Sequence, residues 1–101
     1  MYVALTVRKL KPGSYEDWRA AWMGDDEEWP EGAQKAYIVR SLSDPDEIVA
    51  FGLFDGDLNA LMSNATFREA EQKRQAAMAP FVESVGADSI YEVIEEITPP
   101  R

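Results

Sequence analysis

The chain has 101 residues, 19 acidic and 10 basic, and a net charge of −9 at pH 7. This length allows one domain with a modest core, and the acidic balance argues against nucleic acid and membrane surfaces as partners. Cysteine and histidine are absent, which excludes disulfides, thiolate metal sites and the commonest catalytic base. No signal-peptide pattern or membrane-spanning apolar stretch is present, so we expect a cytoplasmic protein.

The N-terminal third predicts a strand followed by a helix. Residues 2–10 are rich in valine, leucine and threonine, and a Lys-Pro-Gly turn at 11–13 ends the strand. Ser14 is a predicted helix cap, and Asp17 is placed to reach back to it. The helix is predicted to end near residues 30–32. Its apolar stripe carries Tyr15, Trp18, Trp22 and Trp29.

A hairpin is predicted next. Residues 34–42 form its first strand, residues 43–46 form an Asp-Pro turn, and residues 48–54 form its second strand. The second strand is apolar at odd and even positions alike, so both of its faces should be shielded from water. In the hairpin strand at residues 34–42, one face is predicted to carry Ala36, Ile38 and Leu42, and the other face Tyr37 and Val39.

Two helices and a strand complete the chain. A short helix is predicted at residues 58–63 and a long one at 66–85, kinked by Pro80. The last strand is predicted at residues 89–97, with a tail at 98–101. The buried stripe of the long helix is predicted to comprise Phe67, Ala70, Ala77, Met78, Phe81 and Val85.

The predicted order βαββαβ indicates an α+β, ferredoxin-like sandwich: one domain over 1–101, with an antiparallel four-stranded sheet in the order 4-1-3-2. Both helices then cover one sheet face. The other face of the sheet would expose half of the side chains of the apolar third strand. It would also expose one of the two alternating rows of side chains on the first strand. A second copy of the chain would bury that face, so we expect a homodimer. The predicted edge strands carry Lys35, Arg40, Glu92, Glu95 and Glu96.

Several segments resemble one known family when taken in order. They are "VRKLKPG" at the end of the first strand, the hairpin "YIVRSLSDPDEIVAFGLFDG", the helix pair "ALMSNATFREA" and the closing strand "SIYEVIEEI". Together they resemble the antibiotic-biosynthesis-monooxygenase (ABM) type domain of the dimeric α/β-barrel superfamily. The resemblance covers nearly the whole chain and implies a dimeric α/β barrel.

The resemblance implies a small oxygenase that uses no metal or flavin, because the deprotonated substrate itself supplies electrons to oxygen. The protein contributes a dry pocket between sheet and helices and stabilises the developing anion. The family's haem-degrading branch uses Asn, Trp and His at positions corresponding here to Thr6, Leu61 and Glu71. All three differ, so haem degradation is not expected. No cofactor and no metal are expected.

Two arginines lie on largely apolar strands and have two readings. Arg8 and Arg40 could hold the anion of an enolate, phenolate or carboxylate. Alternatively, each pairs with an acidic residue at a sheet edge or dimer seam, which the acidic last strand favours. The expected partners in that case are Glu92, Glu95 and Glu96.

For the other candidate groups, a structural role is the stronger interpretation. Glu71 could be a pocket base if buried, but its charged neighbours favour a solvent-facing position. Trp18 and Trp22 could wall an aromatic ligand, while core packing is the stronger reading for at least one of them. The acidic run 25–28 could attract calcium, but consecutive helical side chains diverge, which favours a solvated face.

A pocket is predicted with aromatic and aliphatic walls and few donors. Thr6 and Arg8 are its candidate polar groups, and Glu71 is the third weak candidate for catalysis. The predicted substrate-binding residues are Trp22, Phe51, Phe54, Leu61 and Phe67.

Three functions remain open. The first is a cofactor-independent monooxygenase acting on a small aromatic or quinol-like molecule. The second is a non-catalytic binding or stress-response protein that holds a small apolar molecule. The third is an isomerase or cyclase on the same barrel.

Haem titration checks the exclusion of haem degradation. With no histidine in the chain to ligate iron, reductant added to a haem-protein mixture should produce no enzymatic loss of the Soret band. Stoichiometric haem binding followed by conversion to a biliverdin-like product would contradict this expectation.

Overall fold

The computed structural model describes residues 1–24 and 32–100 and contains four strands and three α-helices within those ranges. No helix in these ranges is both long and apolar enough to cross a membrane. The strands are β1 (Tyr2–Leu10), β2 (Ala33–Arg40), β3 (Glu47–Phe54) and β4 (Val82–Glu92). The helices are α1 (Tyr15–Met23), α2 (Leu58–Ser63) and α3 (Ala65–Met78), and a 3₁₀ turn at Ala79–Phe81 follows α3.

The four strands form one antiparallel sheet in the order β2-β3-β1-β4, which confirms the predicted order. The ferredoxin-like βαββαβ arrangement is confirmed with it. The two central strands, β1 and β3, pair in a continuous register from Tyr2 opposite Phe54 to Lys9 opposite Glu47. Their apolar composition follows from this central position, because a central strand has no edge exposed to water.

Alternation along the central strands sorts their residues between two faces. On β1, Ala4, Thr6 and Arg8 face the helices, and Val3, Leu5 and Val7 lie on the face without helices, called here the open face. The sequence left this choice between the two rows undecided. The buried core lies under the helices and comprises Leu10, Trp18, Trp22, Ile48, Ala50 and Met78.

Helix α1 begins at Tyr15 as predicted, but not through the predicted cap. Ser14 makes no capping hydrogen bond with its side chain; its carbonyl oxygen accepts from the backbone N–H of Trp18 at 2.9 Å. The helix ends at Met23, earlier than predicted, and Gly24 follows with φ +57°. The predicted end near residue 30 and the place of Trp29 in the stripe lie outside the described residues.

Two caps that the sequence analysis did not assign position α2 and α3. Asp57 accepts a hydrogen bond from the N–H of Ala60 at 3.1 Å, and Asn64 accepts one from the N–H of Phe67 at 3.1 Å. Each satisfies an otherwise unpaired donor of the first helical turn. Asn64 thereby separates the two helices and turns α3 across the sheet.

The predicted long helix and last strand are both corrected at Pro80. Proline lacks an N–H and its ring clashes with the preceding turn, so α3 ends at Met78 and passes into the 3₁₀ turn. Strand β4 therefore starts at Val82, seven residues before its predicted start at 89, and ends at Glu92 instead of residue 97. Val85 is consequently an exposed strand residue and no part of a buried helix stripe.

Gly86 explains why a segment predicted to end a helix pairs as a strand. The β1–β4 register shifts by one residue between Thr6 and Arg8, opposite this glycine. A Cβ on Gly86 would lie 3.2 Å from two side-chain carbons of Val7, closer than an ordinary contact. Glycine thus permits a close backbone approach at an irregularity in the ladder.

Strand β2 ends at Arg40, two residues earlier than predicted, and Leu42 is fully exposed instead of facing the core. The turn that follows is fixed by Asp44, which accepts from the N–H of Asp46 at 3.0 Å and pairs with Lys9 at 3.2 Å. These contacts hold the pKa of Asp44 below its usual value, with the Asp46 N–H the larger cause. The hydrogen bond to Asp44 raises the pKa of Lys9.

Gly32 and Gly13 form a matched pair for a stability test. Both have positive φ, +89° and +77°, but a Cβ on Gly32 would collide with the carbonyl oxygen of Asp55, whereas Gly13 faces open space. Gly13→Ala should cost about 1–2 kcal/mol from backbone strain alone. Gly32→Ala should cost about 1–3 kcal/mol more, because the clash forces the backbone to move. Urea denaturation measures both, and equal losses would contradict the expectation.

Candidate functional site

A cavity of about 500 Å³ lies between the helix-facing side of the sheet and helices α1, α2 and α3. This volume is within the range of sites that bind small organic molecules. The pocket predicted from the sequence was placed between these same layers.

The sheet contributes a floor of small residues to this cavity. Ala4, Ala36, Ala50 and Gly52 all line it, from three adjacent strands. Short side chains leave the distance between sheet and helices unfilled. The small residues at the centre of the sheet therefore leave a cavity. In the neighbouring core, Trp18 and Trp22 fill the corresponding space.

Apolar side chains form most of the walls. Trp22 comes from α1, Phe54 from the end of β3, Leu61 and Met62 from α2, and Phe67 from the start of α3. Phe54 is itself fixed by stacking on the ring of Tyr2, with centroids 5.4 Å apart. These walls present an environment of low dielectric constant in which electrostatic interactions are strong.

Arg8 places a buried cation at the other end of the cavity. Only 3% of the residue is exposed, and its Nη2 donates to Asp88 Oδ2 at 3.0 Å and to Gln75 Oε1 at 3.3 Å. Asp88 is paired across the strands with Thr6, whereas Arg8 is paired with Val85, so this ion pair runs diagonally between β1 and β4. Half of the Asp88 side chain remains exposed, so the ion pair is solvated on one side only.

Three polar groups of the cavity lining have no hydrogen-bond partner among the described residues. They are Nη1 of Arg8, Oγ1 of Thr6 and Nε of Arg74. A buried donor without an acceptor costs about 1–3 kcal/mol, so such groups call for an explanation. All three can donate. Each of these atoms is buried, so an oxygen-bearing ligand in the cavity would satisfy them only after a neighbouring side chain moves.

Arg74 links the two helices that cover the cavity. Its Nη2 bonds both carboxylate oxygens of Glu71, at 2.7 and 2.8 Å, and its Nη1 donates to the carbonyl oxygen of Trp22 at 3.1 Å. The guanidinium also lies over the Trp22 ring, 5.9 Å from its centroid. Glu71 is therefore held by Arg74 at the cavity, and about a third of its side chain also faces solvent, so both of its sequence-based readings hold in part.

Most of the residues predicted for the pocket come together here. Thr6, Arg8 and Glu71 line the cavity, as do Trp22, Phe54, Leu61 and Phe67. The placement of Phe51 is corrected, because strand alternation puts it on the open face, where it stacks on Tyr37 at 5.2 Å.

The expected partners of the two arginines are also corrected. Arg8 pairs with Asp88 instead of Glu92, Glu95 or Glu96, because β4 begins earlier than predicted. Arg40 lies over the ring of Tyr15, 5.2 Å from its centroid. Trp18 is fully buried in the core, whereas Trp22 both joins the core and lines the cavity.

The sequence did not indicate three residues of the cavity lining, Gln75, Asp88 and Gly52. The first lies one helical turn after Glu71 and could have been found from that spacing. Asp88 could not, because the wrong start of β4 placed it in a turn. Within residues 1–24 and 32–100, no cluster of acidic side chains is arranged to hold a metal ion. The acidic run 25–28 lies outside the described residues.

No family model and no curated protein matches the sequence. Solved structures do match its fold. Tetracenomycin F2 cyclase from Streptomyces glaucescens, a type-II polyketide cyclase, is 21% identical with a TM-score of 0.62, over 99% of this chain and 100% of that one.

Two further structures each carry the name "putative antibiotic biosynthesis monooxygenase". The one from Nitrosomonas europaea is 18% identical, with a TM-score of 0.65 over 94% of this chain and 100% of that one. The one from Deinococcus radiodurans is 14% identical, with a TM-score of 0.66 over 98% of each chain. These similarities confirm the ferredoxin-like α+β fold of the chain.

Proposed function

We propose that this protein is a homodimeric, cofactor-independent monooxygenase that binds the anion of a small phenolic or quinol-like aromatic molecule. The observation that carries the proposal is the unpaired Nη1 of Arg8, a buried cation in an otherwise largely apolar cavity. The resemblance to ABM-type domains supports the same reaction class, and several structures of this fold carry that name. Location in the cytoplasm stays an expectation from the sequence.

A guanidinium in a poorly solvated site favours the ionised form of a phenol or enol placed beside it. That anion is the electron-rich species that reacts with oxygen. In an anthrone-type substrate a ring CH₂ becomes C=O: one atom of O₂ enters the product and the other leaves as water with both hydrogens. The chain's own contribution is to hold the anion at Arg8 and to keep the rings in a dry cavity.

The open face supports the dimer. Its exposed residues include Tyr37 and Val39, at 45% and 44%, beside the valine and leucine side chains of the central strands. The accessible surface of the chain is 7218 Å², against about 5,800 Å² expected for a folded monomer of 11.4 kDa. A second copy packed face to face would bury the open face and shield both sides of β3, although the exposed segment after β4 also contributes to this excess.

A non-catalytic binding protein is the second candidate. Its supporting observation is that both oxygens of Glu71 already bond Arg74, so the carboxylate that the described helices bring to the cavity is occupied. A ring-closing enzyme would need the same anion site as an oxygenase, and one structure of this fold is named a polyketide cyclase. Oxygen consumption separates the monooxygenase from both.

The dimer has a direct test with a matched control. Light scattering should give twice the chain mass of 11.4 kDa at micromolar concentration. Val39→Lys places a charge on the open face and should shift the mass towards the monomer. Leu42→Lys makes the same kind of change at a fully exposed turn residue and should leave the dimer intact. A monomeric parent protein would contradict the proposal.

Arg8→Gln and Asp88→Asn test the role of the cation. Both remove the same ion pair, but only the first removes the guanidinium. Quinol- or anthrone-dependent oxygen uptake should fall by at least about a hundredfold in Arg8→Gln, as when one preorganised donor to an oxyanion is lost. Asp88→Asn should retain uptake, and melting temperatures measured alongside separate activity from stability.

Equal loss in the two variants would assign Arg8 a purely structural role. Absence of uptake in the parent protein across a panel of quinols and anthrones would reject the monooxygenase and favour the binding protein.

A further inference from the structure

Gly52 occupies a position where the sheet itself disfavours glycine. It lies in the interior of central strand β3, paired with Ala4 on one side and Ala36 on the other. Glycine in a strand interior loses backbone entropy and packs no side chain, and often marks a place where a ligand approaches closely. Its φ is not positive, so the backbone does not require glycine.

Packing does not require glycine here either. A Cβ on Gly52 would meet only the carbonyl oxygen of Lys35 at 3.8 Å and the Cβ of Ala36 at 4.0 Å, both ordinary contacts. A larger side chain at this position would extend from the helix-facing side of the sheet into the cavity. The cavity is therefore the feature of the described structure that a side chain at Gly52 would change.

The distance from the Arg8 guanidinium to Gly52 indicates which ligands would extend over this residue. The guanidinium of Arg8 bonds Asp88, which pairs with Thr6, and Gly52 pairs with Ala4, two residues from Thr6 along β1. Two residues of strand span about 7 Å. Gly52 also lies one strand across the sheet, about 4.8 Å to the side, so the separation is roughly 8–9 Å. One unsubstituted aromatic ring whose anionic oxygen contacts Arg8 ends about 7 Å from the guanidinium, short of Gly52. A second ring fused to the first reaches across it towards Phe54.

We infer that Gly52 is a specificity-determining residue that lets the cavity take fused-ring aromatic anions, with the anionic oxygen at Arg8 and the second ring on the backbone of β3. This inference rests on the proposed function for the anion site at Arg8. It adds the residue whose missing side chain makes room for a fused ring system. It joins two independent observations: the unpaired, buried Nη1 of Arg8, and the absence of a side chain at Gly52.

Two probes of matched chemistry test the inference: benzoate, with one ring, and 2-naphthoate, with two fused rings. Calorimetric titration of the full-length parent protein should show tighter binding of the naphthoate. Gly52→Val should weaken naphthoate binding by about tenfold or more, the discrimination expected when a pocket loses room for part of a ligand. Binding of the one-ring probe should change less than twofold.

The melting temperature provides a second readout. Gly52→Val should raise it, because valine favours a strand and a Cβ at this position meets only ordinary contacts. Ala87→Val adds similar bulk to exposed strand residue 87, outside the cavity lining, and should leave binding of both probes unchanged. Weaker naphthoate binding in a more stable protein cannot be attributed to unfolding.

The outcomes separate this inference from the proposed function. If Gly52→Val weakens both probes equally, or neither, the ring system does not cross Gly52 and the inference is overturned, while the anion site stands. If Arg8→Gln leaves both affinities unchanged, the anion site itself is rejected. A parent protein that binds neither probe would overturn both.

Discussion

The buried guanidinium of Arg8 is the interaction on which this account of the molecule depends. A charge removed from water is tolerated only when it is paired and hydrogen-bonded, and Asp88 and Gln75 supply only part of that need. The contacts tie β1 to β4 and to α3, so one side chain orders three elements around the cavity. Its remaining donor gives the cavity a polar end, which makes it a candidate site for an anion.

The same chain builds a packed core and a cavity side by side through a change in side-chain size. Trp18, Trp22 and Met78 fill the space under α1, with the two indoles 6.1 Å apart. Further along the sheet, alanines and Gly52 stand in place of large side chains, and the cavity lies above them. The packed core thus holds the sheet and the helices apart, which leaves room for a ligand in the cavity beside it.

The sequence predicted strand order and layers well because each element has a distinct hydrophobic period. It failed where two signals competed. Apolar residues at helical spacing continued past Pro80, and the missing N–H of the proline prevailed, so the start of β4 and the partner of Arg8 were both misplaced. Phe51 was assigned to the pocket by its aromatic character, although only the register could tell which face it occupies. Gly52 interrupts a predicted strand, which can mark a close approach of a ligand, but only the structure shows that it faces the cavity.

The ionisation of a bound phenol tests the central claim most directly. 4-Nitrophenol absorbs visible light only as its anion, so a pH titration with excess protein reports the pKa of the bound phenol. If the guanidinium of Arg8 faces the ligand oxygen in this cavity, that pKa should fall by at least about one unit relative to the free phenol. A bound phenol whose pKa is unchanged or raised would mean that desolvation outweighs the cation, and would contradict the account.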